Sequence, residues 1–226
     1  ELKSAVLEAN LALPAAGLVT LTWGNVSGRD SASGLVVIKP SGVPYGTMTV
    51  DDMVVVDPSG AVVEGGRRPS TDTPTHLVLY DGLAGIGAVV HTHSTWATVW
   101  AQAHRAIPLL GTTHADLCPG EIPVTDAMTA EQVAADYEAN TGKVILATVA
   151  SRGAQEAPAV LVAGHGPFCW SSSPAKAVEM AVTVEAVAKM AWLTVALEPD
   201  VTSLPSHLVE RHFYRKHGPG SYYGQP

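Results

Sequence analysis

The chain has 226 residues, a length that favours one large domain over two. Hydrophobic residues make up 46% of it and charged residues 15%, which is enough apolar surface for a sizeable core and excludes an intrinsically disordered protein. The formal net charge of −8 at pH 7 argues against general nucleic-acid binding.

The compartment is suggested by the cysteines and by the absence of targeting patterns. Cys118 and Cys169 do not suggest a disulfide framework, so we expect reduced thiols in a cytoplasmic protein. No signal-peptide pattern is visible at the first residues. Residues 82–104 carry no Asp, Glu, Lys or Arg, but their histidines, threonines, serine and glutamine argue against a membrane span.

The first third of the chain is expected to form a helix followed by short strands. Residues 2–13 place apolar side chains mostly on one helical face, and Pro14 and Gly17 should end that helix. Strand-like pieces follow at residues 18–21, 34–38, 53–56 and 61–63. A second helix is expected to begin near Pro74, with Thr73 as its cap.

The rest of the chain alternates buried strands with helices. Strands are expected at residues 86–91 and 158–163, and helices at residues 96–104, 129–140 (capped by Thr129), 173–197 and 204–215. From residue 186 the long helix is apolar nearly all round, so it should be buried in the core or at a subunit interface. The tail 218–226 is expected to be irregular. This order favours a single α/β domain over residues 1–226, with a mixed, largely antiparallel sheet flanked by helices.

The segment His91-Thr92-His93 comes at the end of the apolar run 86–90. Side chains at positions i and i+2 of a strand share a face, so the two imidazoles can converge on one metal ion. The alternative is a pair of independently solvated loop histidines.

Two further residues could complete a metal site. His165 lies between two glycines directly after a predicted strand, and Asp72 lies just before a predicted helix. Three neutral imidazoles and one carboxylate suit a borderline metal, usually Zn²⁺, and leave a position open for a substrate. Taken singly, His165 is more typical of a turn residue and Asp72 of a helix cap.

Three turns combine glycines, hydroxyls, an amide and a cation, and each is either an anion site or an ordinary turn. Their candidate substrate-binding residues are Gly24, Asn25, Lys39, Ser41, Gly42, Ser70 and Thr71. The chain contains neither a P-loop motif nor a GxGxxG motif, so we expect no NAD.

Asp116 follows the extended piece 107–110 and could move a proton near a metal, although a solvated loop aspartate has the same pattern. Tyr222 and Tyr223 lie in a terminal Gly-rich tail, which would normally be disordered. The two aromatic residues make sense if the tail docks on another surface, such as a neighbouring subunit's active site.

Taken together, these segments resemble the class II aldolase/adducin family, and within it the L-ribulose-5-phosphate 4-epimerases. The segments TWGNVS, HTHS and GHGPF are typical of the wider family, and similar segments occur along nearly the whole chain. The segments GTTHAD and YYGQ are more specific to the epimerases.

The resemblance implies a mixed α/β fold with a central antiparallel sheet and a fourfold-symmetric homotetramer with active sites between subunits. Asp72, His91, His93 and His165 match the family's zinc ligands, although another divalent metal is possible. The seven turn residues named above match its phosphate and substrate loops. Asp116 and Tyr223 match its acid/base pair, the tyrosine coming from the adjacent chain, and His212 can reach the same site.

The implied activity is zinc-dependent epimerisation of a ketopentose 5-phosphate, L-ribulose 5-phosphate to D-xylulose 5-phosphate, by cleavage and re-formation of the C3–C4 bond. The alternative within the family is an aldolase that releases its fragments, such as L-fuculose-1-phosphate aldolase. A third possibility is a non-enzymatic interaction module like the adducin heads. Membrane and nucleic-acid partners are not expected.

Overall fold

A computed structural model describes residues 1–151 and 157–223, and within them seven strands form one sheet. The strands are β1 (Asn25–Arg29), β2 (Val36–Ile38), β3 (Val54–Val56), β4 (Val62–Glu64), β5 (Ala88–His91), β6 (Ala159–Val162) and β7 (Gly166–Ser171). Their order is β4-β3-β2-β1-β5-β7-β6, and every neighbouring pair is antiparallel. The α/β class with a largely antiparallel central sheet is therefore confirmed.

Seven α-helices lie in the described ranges. They are α1 (Leu2–Ala15), α2 (Thr73–Gly82), α3 (Thr95–Gln102), α4 (Thr112–Ala115), α5 (Ala130–Ser151), α6 (Pro174–Leu197) and α7 (Ser206–Lys216). Two 3₁₀ turns, Tyr45–Thr47 and Val50–Asp52, connect β2 to β3.

Five of these helices form one layer on each face of the sheet. α1, α3 and α6 pack on one face, while α2 and α5 pack together on the other. Strand β5 shows the alternation that divides the two cores, because Ala88 and Val90 belong to the first and Val89 to the second. His91 comes next on the second face, where its ring stacks on Phe168 of β7 at 4.1 Å between centroids.

One expectation for the early strands is wrong, and one strand of the sheet was not expected. Residues 18–21 are not a strand but lead into a turn, in which Leu21 has a positive φ of 54° and is 76% exposed. The strand that follows, β1, was not predicted, because its polar sequence lacks an apolar alternation. It is nevertheless central in the sheet, between β2 and β5.

The helix boundaries also differ from expectation in places. α1 ends at Ala15, beyond Pro14, which the last turn accommodates. The cap of α2 is Asp72 rather than Thr73, whose hydroxyl instead donates to the Ser70 carbonyl oxygen at 2.6 Å. Thr129 does cap α5, through reciprocal hydrogen bonds with Gln132.

Helix α6 begins at Pro174 after the Ser173 cap and ends at Leu197, as predicted. By length and composition alone it could cross a membrane, but one side of it packs in the core through Val184, Val187 and Ala188. We therefore interpret it as a core helix. Its other side leaves large apolar side chains exposed on this chain, namely Val182, Met190, Trp192, Leu193 and Leu197.

Candidate metal centre and substrate cavity

Three histidines from neighbouring strand ends converge on one point. β5 ends at His91, His93 follows it, and His165 lies in the turn between β6 and β7. The Nε2 atoms of His91 and His93 are 3.1 Å apart, and those of His93 and His165 are 3.2 Å apart. The three ligand nitrogens all lie within 4.8 Å of one another. The structure thus brings together the three imidazoles that the sequence singled out.

This spacing fits a metal ion. In a tetrahedral site with Zn–N bonds of about 2.0–2.1 Å, two ligand nitrogens are roughly 3.3 Å apart. The Nδ1 of His91 faces the Pro167 carbonyl oxygen at 3.0 Å, and because that oxygen can only accept, Nδ1 carries the proton. The Nε2 lone pair of His91 is therefore directed at the point of convergence.

The imidazoles are also in the right protonation state. Burial lowers the pKa of His91 and of His93, and it lowers the pKa of His165 to about 3 with a contribution from the two neighbouring imidazoles. All three rings are therefore neutral at pH 7, as metal ligands must be.

Asp72 lies at the wall of the same cavity, outside the group of converging nitrogen atoms. Its Oδ2 accepts a hydrogen bond of 2.6 Å from the amide of Asn25, the β1 residue that is paired with His91 in the sheet. Burial acts to raise the pKa of Asp72, but the nearby His91 and His76 and the Asn25 amide outweigh it and lower the pKa. Asp72 therefore offers an ionised carboxylate beside the three histidines.

A cavity of about 460 Å³ opens beside His93 and His165. All seven predicted substrate-binding residues line it: Gly24, Asn25, Lys39, Ser41, Gly42, Ser70 and Thr71. At Gly24, φ is +77° and a Cβ would come within 2.9 Å of the His91 carbonyl oxygen, so only glycine lets the chain pass there.

Lys39 supplies positive charge to this cavity. Its residue is 2% exposed, and its Nζ donates to the carbonyl oxygens of Thr22 and Pro40, both at 3.3 Å. Burial lowers the pKa of Lys39, and the nearby Asp72 carboxylate opposes that shift. An ammonium group beside the Ser41 and Ser70 hydroxyls suits an anionic substrate.

Four residues that line this cavity are not among the predicted site residues: Thr22 and Trp23, which precede Gly24, and Tyr137 and Glu138. The hydroxyl of Tyr137 is 3.3 Å from Nδ1 of His165, so it contacts this candidate ligand on the ring nitrogen that does not face the other histidines. Tyr137 and Glu138 follow Asp136, whose φ of −162° and ψ of 85° interrupt α5. The pattern of residues 129–140 predicts one continuous helix and gives no signal for that break.

Asp116, at the end of α4, lies in a second cluster with residues of α7. Arg215 holds both carboxylate oxygens, with Nε 2.9 Å from Oδ1 and Nη2 2.5 Å from Oδ2. His212 Nδ1 is 3.0 Å from Oδ1, and Lys216 Nζ is 3.5 Å from Oδ2. Burial acts to raise the pKa of Asp116, but these contacts outweigh it and lower the pKa.

Tyr223 belongs to this second cluster as well. Its ring lies under the Arg215 guanidinium at 4.8 Å and under the Lys216 ammonium at 4.4 Å. Within the described part of the chain, Asp116, His212 and Tyr223 do not line the cavity. The rest of the YYGQ segment, residues 224 and 225, lies outside the described residues.

Comparison with known proteins gives matches over nearly the whole chain. Residues 4–192 match the family described as Class II Aldolase and Adducin N-terminal domain. L-ribulose-5-phosphate 4-epimerase UlaF of Salmonella paratyphi C (strain RKS4594) is 56% identical over 225 residues, which cover 100% of this chain and 99% of that protein. The UlaF of Salmonella choleraesuis (strain SC-B67) matches to the same extent. Among solved structures, an L-fuculose 1-phosphate aldolase superposes with a TM-score of 0.79 at 27% identity and covers 95% of both chains.

Proposed function

Because this chain belongs to the class II aldolase and adducin family, we propose that it is an L-ribulose-5-phosphate 4-epimerase, which interconverts L-ribulose 5-phosphate and D-xylulose 5-phosphate. One observation carries the proposal: three neutral imidazoles converge at the wall of a cavity that also contains a buried lysine and several hydroxyl groups. The choice of substrate rests on the identity to the two UlaF proteins. A cytoplasmic location is part of this proposal, since two cysteines in 226 residues do not indicate a disulfide framework.

The chemistry of C4 inversion explains why such a site is needed. The C4 hydrogen is not adjacent to the ketone, so direct deprotonation is unfavourable. If a base instead removes the C4 hydroxyl proton, the C3–C4 bond can break in a retro-aldol step. The fragments are the enediolate of dihydroxyacetone and glycolaldehyde phosphate. Rotation of the aldehyde and attack of the enediolate on its other face produce the C4 epimer.

We assign His91, His93 and His165 as ligands of a divalent cation, with Asp72 as the fourth. Imidazole and carboxylate donors favour Zn²⁺, although other divalent metals accept the same donors. When bound, this cation supplies Lewis-acid stabilisation of the negative charge that develops on the ketone side of the substrate. The exposed side of His93 leaves room for that substrate.

The polar wall of the cavity has a different role, which is to bind the phosphate. Ser41, Ser70, Thr71 and Lys39 line the cavity and offer hydroxyl and ammonium donors, while Asn25 donates to Ser70 and Asp72 and so positions those two residues. Their grip supplies remote binding energy, and it keeps the aldehyde fragment from leaving between the two half-reactions. This retention is what separates an epimerase from an aldolase with the same cleavage step.

Asp116 and Tyr223 are the proposed acid/base groups, one for each C4 epimer, with His212 beside them. Because these residues share one cluster away from their own chain's cavity, we propose that the whole cluster acts at the cavity of an adjacent subunit. This modifies the sequence-based expectation, in which Tyr223 alone came from the neighbour. The enzyme would then be a homotetramer with sites between subunits.

The exposed apolar face of α6 supports such an assembly, since Met190 and Leu193 are 45% and 47% exposed on the single chain. We expect Leu193→Glu to dissociate the tetramer, because a charge would be buried at the interface. Val63→Glu on the edge strand is the matched control, since Val63 is 53% exposed. Sedimentation velocity checks both variants. A fully tetrameric Leu193→Glu protein would show that this face of α6 is not the subunit interface.

The activity itself is tested by incubating the purified protein with L-ribulose 5-phosphate. We expect D-xylulose 5-phosphate as the product, followed by ¹³C NMR, and no accumulation of free glycolaldehyde phosphate. Free glycolaldehyde phosphate as the main product would instead identify an aldolase. A fully folded protein without bound metal and without turnover would favour a non-enzymatic module.

A further inference from the structure

One arginine contacts both proposed acid/base groups. The Arg215 side chain holds the two carboxylate oxygens of Asp116 in a bidentate pair, which fixes the plane of that carboxylate. The Arg215 backbone carbonyl oxygen accepts the amide hydrogens of Tyr222 and Tyr223, at 2.9 and 3.0 Å. Its guanidinium also lies over the Tyr223 ring. The tail is thereby folded back onto α7 beside Asp116.

The charges in this cluster exceed what neutralising one carboxylate requires. Arg215 and Lys216 both contact Asp116, so the permanent charges sum to an excess of one positive charge even with His212 neutral. Isolated surface ion pairs contribute little stability, which makes a purely stabilising role a weak explanation for this arrangement. An excess positive charge beside two proton-transfer groups is suited to an oxygen that becomes negative during the reaction.

We propose that Arg215 is a positioning residue of the epimerase, which sets the carboxylate of Asp116 and the hydroxyl of Tyr223 relative to each other. This inference rests on the proposed function, in which those two groups exchange protons with the substrate. Arg215 itself needs no contact with the substrate. Lysine cannot replace it fully, because a single ammonium group does not present the two parallel N–H donors that fix a carboxylate plane.

The kinetic test compares Arg215→Ala, Arg215→Lys, Asp116→Asn and the double variant Arg215→Ala/Asp116→Asn. We expect Arg215→Ala to lower kcat about 100-fold with KM and metal content unchanged, which is the cost of misplacing a catalytic group by roughly 1 Å. Millimolar guanidinium should restore part of that activity, and Arg215→Lys should be intermediate. The double variant should be slower than Asp116→Asn by much less than 100-fold, because once Asp116 has lost its function Arg215 can act only through Tyr223.

Arg211→Ala is the matched control, since Arg211 lies on the same helix over the Tyr222 ring and has no contact with Asp116 among its described interactions. It should retain wild-type kcat. If the kcat losses of the two single variants multiply in the double variant, Arg215 does not act through Asp116 and the proposal is overturned. A change in KM alone would overturn it as well, by showing that Arg215 binds the substrate directly.

The pH profile supplies a readout that a merely structural role would not move. Asp116 is faced by His212, Arg215 and Lys216 from α7, and the His217 ring is 3.0 Å from its backbone carbonyl oxygen. Removing the guanidinium should raise the pKa of Asp116. For the epimer whose C4 hydroxyl Asp116 deprotonates, the ionised carboxylate is the active form. With that epimer as substrate, the acidic limb of kcat/KM should move to higher pH in Arg215→Ala, and an unmoved limb would contradict the proposal.

A second measurement is independent of the reaction. Chymotrypsin should release residues 224–226 from Arg215→Ala about 2- to 5-fold faster than from the wild type, because one of the two cation–π contacts to Tyr223 is lost while that of Lys216 remains. Equal rates would overturn the positioning of Tyr223 even if the wild type epimerises L-ribulose 5-phosphate. Conversely, faster release from a protein without epimerase activity would refute the proposed function and leave the contact itself supported.

Discussion

Replacing His93 with alanine should abolish metal binding and lower kcat by roughly 10³-fold or more, since the cation's stabilisation of developing charge is worth several kcal/mol. His93 is the histidine whose Nε2 lies close to both other ligand nitrogens. Its side chain is exposed rather than packed in the core, so the fold and the proposed tetramer should persist. Bound metal measured by mass spectrometry, together with epimerase assays, checks this expectation.

His207→Ala is the matched control for that experiment. His207 is an exposed histidine on α7 that lies outside the histidine group. The control should retain stoichiometric metal and full activity. A His93→Ala protein that keeps stoichiometric metal would show that other residues hold the ion.

Tyr223→Phe should separate metal binding from proton transfer. The change removes only the phenolic oxygen, so metal content and KM should stay at wild-type values while kcat falls roughly 10²- to 10³-fold, a range typical for loss of a general acid or base. Tyr222→Phe is a close control, because the two residues are adjacent and are 62% and 60% exposed. Steady-state kinetics on both variants give the comparison.

The role assigned to Tyr223 predicts a stereochemical asymmetry as well. Because Asp116 and Tyr223 are assigned to opposite epimers, Tyr223→Phe should still cleave the C3–C4 bond of the one epimer whose C4 hydroxyl Asp116 deprotonates. Full activity of Tyr223→Phe, or equal loss in Tyr222→Phe, would show that another group performs this step.

The sequence predicts the centre of the site well because strand geometry is regular. His91 ends β5 and converges with His93 as their i, i+2 spacing predicts, and His165 follows the buried strand β6, which ends at Val162, through Gly164 with its positive φ of +72°. The seven turn residues at the cavity were identified through turn chemistry and the family resemblance together. Neither source needed information on how distant helices pack.

The parts that were missed depend on tertiary contacts. β1 carries Asn25 next to His91, but its buried Ser27 is satisfied by His76 and Tyr80 of α2, a compensation that periodicity cannot indicate. The entry of Tyr137 into the cavity depends on the break at Asp136. No spacing in the sequence links Asp116 to Arg215, which are 99 residues apart, so only the structure joins them into one cluster.

X-ray absorption spectroscopy of the purified enzyme at the zinc edge tests the metal assignment most directly. The three histidines and Asp72 predict a shell of nitrogen and oxygen donors at about 2.0–2.1 Å, with the multiple-scattering pattern of three imidazoles and no sulfur. The expected result is that pattern at one metal per chain. A sulfur shell near 2.3 Å, or a spectrum with fewer than two imidazoles, would contradict the assignment and with it the carbon–carbon cleavage at this site.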